Sequence, residues 1–140
     1  GDLENYYLFV LDVDNFKVIN DTQGHDAGDS ILCQLVKVIN ENVRDEDVFS
    51  RWGGEEFVLI THQKTPAYAL QFANKLREIV ARIDFPLAEA KTLKVTISIG
   101  VSRFENNMDF DSVFKVADQC LYEAKRRGRN LVVLDKSITR

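Results

Sequence analysis

Four acidic residues in two separate segments of the chain have the types and spacing that bind a divalent cation. Asp12 and Asp14 lie two residues apart in "YYLFVLDVD", and Glu55 and Glu56 are adjacent in "SRWGGEEFVLI". Like charges about 4 Å apart repel by roughly 4 kcal/mol at an effective dielectric of 20, which is large beside the stability of a small domain. Carboxylates without a nearby His or Cys favour Mg²⁺, Mn²⁺ or Ca²⁺ over zinc, and Mg²⁺ usually shares its ligands with substrate phosphates. The acids therefore predict a site for a metal and a phosphorylated ligand.

The segments that carry these acids are predicted to be strands. "YYLFVLDV" is a continuous apolar run, typical of a buried central strand. "VFSRW" and "EFVLIT" flank Gly53 and Gly54, which predicts a hairpin with a two-residue Gly-Gly turn and both glutamates at the start of the returning strand. Period-two spacing projects Asp12 and Asp14 to one side of the sheet, and a neighbouring hairpin brings at least one glutamate close to them. Either acidic pair alone is also typical of a solvated rim.

The rest of the chain alternates helices with strands. Helical spacing of apolar residues predicts a helix over about 27–43, with Asp26 as a candidate cap, and Thr65 with Pro66 begins another that runs to about Ile83. "LKVTISIGVSRF" predicts a strand, residues from about 111 to 127 a helix ended by Gly128, and "NLVVL" a short final strand. This order predicts an α/β (α+β) sandwich, with a central mixed, mainly antiparallel sheet and helices on both faces.

Composition limits the function classes. A chain of 140 residues fits a single domain over 1–140, and its net charge of −4 argues against general binding to nucleic acid backbones. No apolar run approaches the roughly 20 residues that a membrane span needs. We expect a cytoplasmic domain, excised from a longer parent protein that is either soluble or membrane-attached.

Four segments of the sequence resemble the GGDEF family of diguanylate cyclases. The glycine-glycine-acid-acid-phenylalanine signature is "GGEEF" at residues 53–57, and "LDVDNFKVINDTQGHDAGDSIL", "VTISIGVS" and "ADQCLYEAKRRGRN" match in the expected order. The resemblance implies a fold similar to nucleotide cyclase and polymerase palm domains. It also implies condensation of two GTP molecules into cyclic di-GMP with release of two pyrophosphates.

The resemblance assigns roles to matching residues. Asp12, the carbonyl of Val13 and Glu55 would hold Mg²⁺ (or Mn²⁺), while Glu56 would assist at a second metal position or deprotonate the attacking 3'-hydroxyl; which glutamate is the base stays open. Asn20 and Asp29 correspond to guanine-reading residues. The phosphate-binding set would comprise the backbone of Asn15, Phe16 and Lys17 with the side chains of Lys125 and Arg129.

Several of these residues also have plainer interpretations. Asp29 is a first-turn acid that suits a helix dipole, "KRRGR" suits a helix C-terminus, and His25 is predicted to be structural. Arg44 and Asp47 match an inhibitory product site with an RxxD pattern, which implies product inhibition, or they form an exposed salt bridge of under about 1 kcal/mol.

The resemblance also implies partners and leaves two other functions open. A homodimer would be needed for turnover, with an upstream sensory domain in the parent protein, and the helical segment that usually precedes the first strand is not among residues 1–140. The alternatives are a catalytically silent module that senses GTP or cyclic di-GMP, and a mononucleotide cyclase of similar fold. The intact "GGEEF" opposes the first, and Asn20 with Asp29 opposes the second.

Overall fold

A mixed sheet of five strands forms the body of the molecule, as the sequence predicted, and it packs with four α-helices, one more than the three predicted. The structure is a computed structural model that describes residues 5–139. Its elements are β1 (Tyr6–Val13), α1 (Phe16–Gln23), α2 (His25–Asn40), β2 (Val48–Gly53), β3 (Glu56–His62), α3 (Pro66–Arg82), β4 (Phe85–Pro86), β5 (Thr92–Leu93), β6 (Ile97–Arg103), α4 (Phe110–Arg126) and β7 (Val132–Leu134), with 3₁₀ turns at Ala88–Ala90 and Lys136–Thr139.

The order of strands in the sheet is β2-β3-β1-β6-β7, so the apolar strand β1 is central. The pairings β1–β3, β1–β6 and β2–β3 are antiparallel, and β6–β7 is parallel. The segment between α3 and β6 contains a separate two-stranded ribbon formed by β4 and β5.

The period-two pattern of β1 divides the core between the two faces of the sheet. Tyr7, Phe9, Leu11 and Val13 pack in one cluster with residues of α2 and α3, whereas Leu8 and Val10 pack with Val113, Ala117 and Leu121 of α4. Asp12 and Asp14 continue the even-numbered series and both contact Lys125 of α4. The prediction that they share one side is therefore confirmed, and that side is the α4 face.

The hairpin turn differs by one residue from the prediction. Gly53 belongs to β2 and pairs with Glu56, and the register shifts between Arg51 and Gly53, which leaves Trp52 as a bulge residue. The two turn residues are thus Gly54, with φ of 50°, and Glu55. Only Glu56 begins the returning strand, because the extra residue in β2 moves the turn along the chain.

One of the two predicted helix caps is present. The Thr65 hydroxyl accepts a hydrogen bond from the Tyr68 amide at 3.2 Å, and Pro66 is the first residue of α3. Asp26 does not cap α2, because α1 and α2 are separated by a single residue, Gly24, and α2 already begins at His25. Among residues 5–139, no helix is both long and apolar enough to cross a membrane.

Candidate active site

The acids of β1 and of the hairpin meet at one end of the sheet. Asp12 lies directly opposite Glu56 in the β1–β3 register, and Glu55 precedes it in the turn. Val13, whose carbonyl is the other predicted ligand, is the last residue of β1 and pairs with Ile97. The strand register therefore brings the backbones of the predicted ligands to one end of the sheet.

The chain itself supplies a positive partner for these acids. Lys125 extends from the last turn of α4, and its Nζ lies 2.6 Å from Asp12 Oδ1 and 3.5 Å from Asp14 Oδ1. The Asp12 side chain is 14% exposed and that of Lys125 25%, so water screens this ion pair less than a surface pair. One cation thus offsets part of the repulsion between the two aspartates.

Burial nevertheless raises the pKa values of two of these carboxyl groups. It raises the pKa of Asp12 to about 6, against the opposing effect of Lys125, and it raises the pKa of Glu56 to about 7, with repulsion from Asp118 and Asp12 adding to the shift. The Glu56 carboxyl also shares a hydrogen bond with Asp118 of α4. Asp118 was missed from the sequence; the signal is its position seven residues before Lys125, which is the same face of a helix.

The acids suit a magnesium ion that shares its shell with a ligand. Among residues 5–139, no three His, Cys, Asp or Glu side chains come together as a preformed metal site. Mg²⁺ commonly takes one or two protein carboxylates and completes its octahedron with water and phosphate oxygens. Asp12 and Glu56 lie opposite each other, and because their pKa values are raised a metal would have to displace their protons on binding. Once ionised, they are hard oxygen donors that fit this pattern.

The predicted phosphate-binding turn follows β1. Asn15 has a left-handed backbone, with φ of 55° and ψ of 35°, and it begins α1 without a side-chain cap. Phe16 is the first helical residue and Lys17 the second, exposed to solvent. The first amides of α1 have no partner within the helix and so face outward at an end where anions are favoured.

The two predicted guanine-reading residues lie on the paired helices α1 and α2. Asn20 Oδ1 is buried and has no hydrogen-bond partner, whereas Asp29 is exposed. Gly28 makes room for Asn20, since a Cβ on Gly28 would lie 1.9 Å from Asn20 Oδ1. A buried acceptor without a partner costs about 1–3 kcal/mol, so this oxygen is suited to a ligand donor.

Arg129 lies in the loop after α4, not on a regular element. It is exposed and has a left-handed backbone with φ of 67°. A buried network that was not predicted from the sequence lies beneath this loop and includes Asp14, Thr96 and Ser98. Hydroxyl residues at alternate positions of an otherwise apolar strand, "VTISIGV", are the signal that could have indicated it.

Arg44 and Asp47 form more than a surface salt bridge. Arg44 Nη2 lies 3.3 Å from Asp47 Oδ1 and 3.1 Å from Thr61 Oγ1, and it also donates to the His62 carbonyl. The Asp47 side chain is fully buried, while that of Arg44 is 48% exposed. A cleft of about 360 Å³ opens beside them, lined in part by Arg44, Tyr68 and Lys75, away from the acids at the hairpin.

Comparison with known proteins identifies the class to which this fold and site belong. Residues 2–131 match the family described as diguanylate cyclase, GGDEF domain. The chain therefore belongs to the GGDEF domain family.

Individual relatives of the chain are also named as diguanylate cyclases or as their domains. Diguanylate cyclase DosC of Escherichia coli K12 is 37% identical over 130 residues, which is 93% of this chain and 28% of that protein. The active GGEEF domain of a diguanylate cyclase from Vibrio cholerae is 32% identical with a TM-score of 0.83, and the alignment covers 94% of this chain and 83% of that one. The GGDEF domain of DgcB from Caulobacter crescentus, in complex with c-di-GMP, is 30% identical with a TM-score of 0.88, over 94% and 78% of the two chains.

Proposed function

We propose that this domain is a diguanylate cyclase, which condenses two GTP molecules into cyclic di-GMP and releases two pyrophosphates. The observation that carries the proposal is the register of β1 and β3, which sets Asp12 opposite Glu56 beside an intact "GGEEF" signature and next to Lys125. The family match and the activity named for the relatives support the same reaction.

The nucleotide would be held at both of its ends. Asn20 Oδ1 would accept one of the two adjacent N–H donors of guanine and Asp29 the other; adenine lacks this pair of donors. The amides of Asn15, Phe16 and Lys17, with the side chains of Lys125 and Arg129, would hold the phosphates. Lys125 would have to divide its charge between the phosphates and Asp12, which it contacts in the nucleotide-free arrangement.

The acids would hold the metal and accept a proton. Asp12, the Val13 carbonyl, Glu55 and Glu56 would bind Mg²⁺ or Mn²⁺, which stabilises charge on the attacking and leaving oxygens when it is bound. Glu55 or Glu56 would also take the proton of the 3'-hydroxyl; burial, which raises the pKa of Glu56 to about 7, favours Glu56 when it does not hold the metal. Each domain would hold one GTP, so two copies must face each other before either bond forms.

The reaction is tested by product analysis. The protein, fused to a dimer-forming coiled coil, is incubated with GTP and Mg²⁺, and the products are separated by chromatography. Cyclic di-GMP and pyrophosphate should accumulate, and Glu55→Ala should abolish turnover without changing thermal unfolding. Glu41→Ala, at an exposed position beyond α2, is the matched control. Binding of GTP or cyclic di-GMP without product would instead support the sensing module.

We also propose that the cleft beside Arg44 takes up the product and inhibits turnover. Its half-exposed guanidinium, together with Tyr68 and Lys75, which also line the cleft, suits an anionic nucleotide with an aromatic base. Arg44→Ala should raise the concentration of cyclic di-GMP for half-inhibition by about tenfold, the loss of one charge-assisted contact. Arg82→Ala, at the other end of α3, is the control; equal inhibition of both variants and the wild type would contradict the proposal.

The length of the relatives supports a longer parent protein. Since the chain spans 28% of DosC, we propose that an upstream sensory domain controls the approach of two GGDEF domains in the parent.

A further inference from the structure

Asp14 has surroundings unlike those of its neighbour Asp12. It is 4% exposed, and its two carboxylate oxygens accept hydrogen bonds from Ser98 Oγ at 2.6 Å, from Thr96 Oγ1 at 2.7 Å and from the Asn130 amide at 2.9 Å. Lys125 Nζ lies 3.5 Å from Oδ1. Its hydrogen-bonding capacity is therefore largely taken up by the protein, and it faces the interior rather than a ligand.

The partners of Asp14 connect β1 to the loop after α4. Arg129 and Asn130 are consecutive residues with left-handed backbones, at φ of 67° and 51°, a conformation that costs a non-glycine residue roughly 1–2 kcal/mol. The Asn130 amide is held by Asp14 and by Ser98 Oγ at 3.1 Å. From the other side, Arg77 of α3 donates to Asn130 Oδ1 at 2.9 Å.

The contacts among Asp14, Ser98 and Asn130 adjoin the two basic residues that are proposed to bind phosphate, Lys125 and Arg129. Lys125 lies 2.6 Å from Asp12 Oδ1 and 3.5 Å from Asp14 Oδ1, so Asp14 supplies the longer of its two ion pairs. Arg129 is held indirectly, through the amide of the next residue. The Arg129 amide in turn donates to the Ala124 carbonyl at 3.0 Å, which ties the loop back to α4. Without Asp14, the Ser98 hydroxyl would be the one acceptor left for the Asn130 amide among these residues, and the left-handed turn would lose support.

We propose that Asp14 is a positioning residue for triphosphate binding: it does not touch the nucleotide, but it holds Lys125 and the left-handed turn of Arg129 where the phosphates bind. The inference rests on the proposed function, in which these two cations contact GTP. It separates the roles of the two aspartates in "DVD", since Asp12 faces the reaction and Asp14 faces the loop.

The test compares nucleotides that differ only in their phosphates. Asp14→Asn keeps the size of the side chain but replaces one of its two accepting oxygens with an NH₂ group, which is a donor. That donor then faces the donors that Asp14 normally accepts from. Binding of GTP and of GMP is measured by calorimetry with Mg²⁺ for the wild type, for Asp14→Asn and for Ser102→Ala. Ser102 is the matched control because its buried hydroxyl also links β6 to α4, through the Val113 carbonyl at 2.8 Å, away from the loop.

The quantity compared is the ratio of the affinity for GTP to the affinity for GMP. Asp14→Asn should lower this ratio about tenfold. Ser102→Ala should lower the unfolding temperature and leave the ratio unchanged. In an Arg129→Ala background the effect of Asp14→Asn on the ratio should be smaller, since one of the positioned cations is already gone. Equal losses for GTP and GMP in Asp14→Asn would overturn the proposal.

A second variant keeps the test decisive if Asp14→Asn does not fold. Ser98→Ala removes one donor to Asp14 and one acceptor of the Asn130 amide while it leaves the carboxylate in place. It should reduce the ratio by about threefold, and an unchanged ratio would overturn the proposal. Wild-type protein that binds neither nucleotide would overturn the proposed function together with this inference, whereas wild-type binding with an unchanged ratio in the variants overturns this inference alone.

Discussion

Asp12 and Glu56 are carboxyls that the fold makes hard to ionise, and this has consequences for stability. Both pKa values lie above those of the unfolded chain, at about 6 and about 7 against 3.8 and 4.5. Between about pH 4 and pH 7 the folded state therefore holds protons that the unfolded state has lost, and the free energy of unfolding falls as pH rises through this range. Above about pH 7 both carboxyls are ionised at a cost to the folded state, and a bound cation would offset that cost.

The pH dependence of stability should show this cost. From pH 4.5 to pH 8, in EDTA, the wild type should lose on the order of 1 kcal/mol more unfolding free energy than the double variant Asp12→Asn, Glu56→Gln, a value kept small because solvent screens part of the site. The measurement is urea denaturation at both pH values. Mg²⁺ at ten times its Kd should add about 1.4 kcal/mol to the wild type at pH 8 and little to the double variant. Parallel pH profiles for the two proteins would contradict the expectation.

Asn20 allows stability and ligand binding to be separated at a single residue. Its buried Oδ1 has no partner, so Asn20→Ala should leave the free energy of unfolding unchanged or raise it by up to about 1 kcal/mol. Affinity for GTP should fall about tenfold, because guanine loses an acceptor for one of its N–H donors. Denaturation and calorimetry on the same preparation test both halves. A large loss of stability, or an unchanged affinity, would show that the oxygen is not kept for a ligand.

At the scale of elements, the position of α4 depends on a glycine in β6. A Cβ on Gly100 would lie 2.0 Å from the Ala117 carbonyl oxygen and 2.3 Å from the Leu121 amide, both backbone atoms that cannot rotate away. Helix and strand thus approach more closely here than any side chain allows. Since Lys125 and Asp118 lie on α4, this contact also sets their distance from β1.

Gly100→Ala should therefore destabilise the fold by about 3 kcal/mol, the upper part of the range for overpacking. Gly53→Ala is the comparison, because a Cβ there would have no heavy atom within 4 Å; its effect should stay within about 0.5 kcal/mol. Urea denaturation of the two variants measures the difference. Similar stabilities would mean that α4 shifts without cost.

A feature could be predicted from the sequence when the residues that produce it lie close together along the chain. The five strands of the main sheet and the helices α2, α3 and α4 were predicted because apolar periodicity and local signals such as Thr65 and Pro66 act within a few residues. The short helix α1 and the ribbon of β4 and β5 were not predicted. The bulge at Trp52 was not predicted either, and it moved the turn by one residue. Nor could the partners of Asp14 be predicted, since Ser98 and Asn130 lie 84 and 116 residues away in the chain and no short pattern connects them.

For the whole molecule, the proposed chemistry makes turnover depend on the meeting of two domains. One copy has one cluster of acids at one end of its sheet and one pair of residues proposed to read guanine, whereas the product of the proposed reaction contains two nucleotides joined by two bonds. The 3'-oxygen of one nucleotide must reach the α-phosphorus of the other, and a single domain brings together only one of each.

The rate of product formation should therefore rise with the square of protein concentration when the chain is mainly monomeric, so that activity per molecule increases about tenfold for a tenfold increase in concentration. Fusion to a dimer-forming coiled coil should raise activity at low concentration and remove this dependence, because the second domain is then supplied at a high effective concentration. Cyclic di-GMP is measured across a dilution series, with sedimentation to establish the oligomeric state. A chain that sediments as a monomer and has the same activity per molecule at every dilution would show that one domain completes both bonds, and the requirement for two facing sites would be wrong.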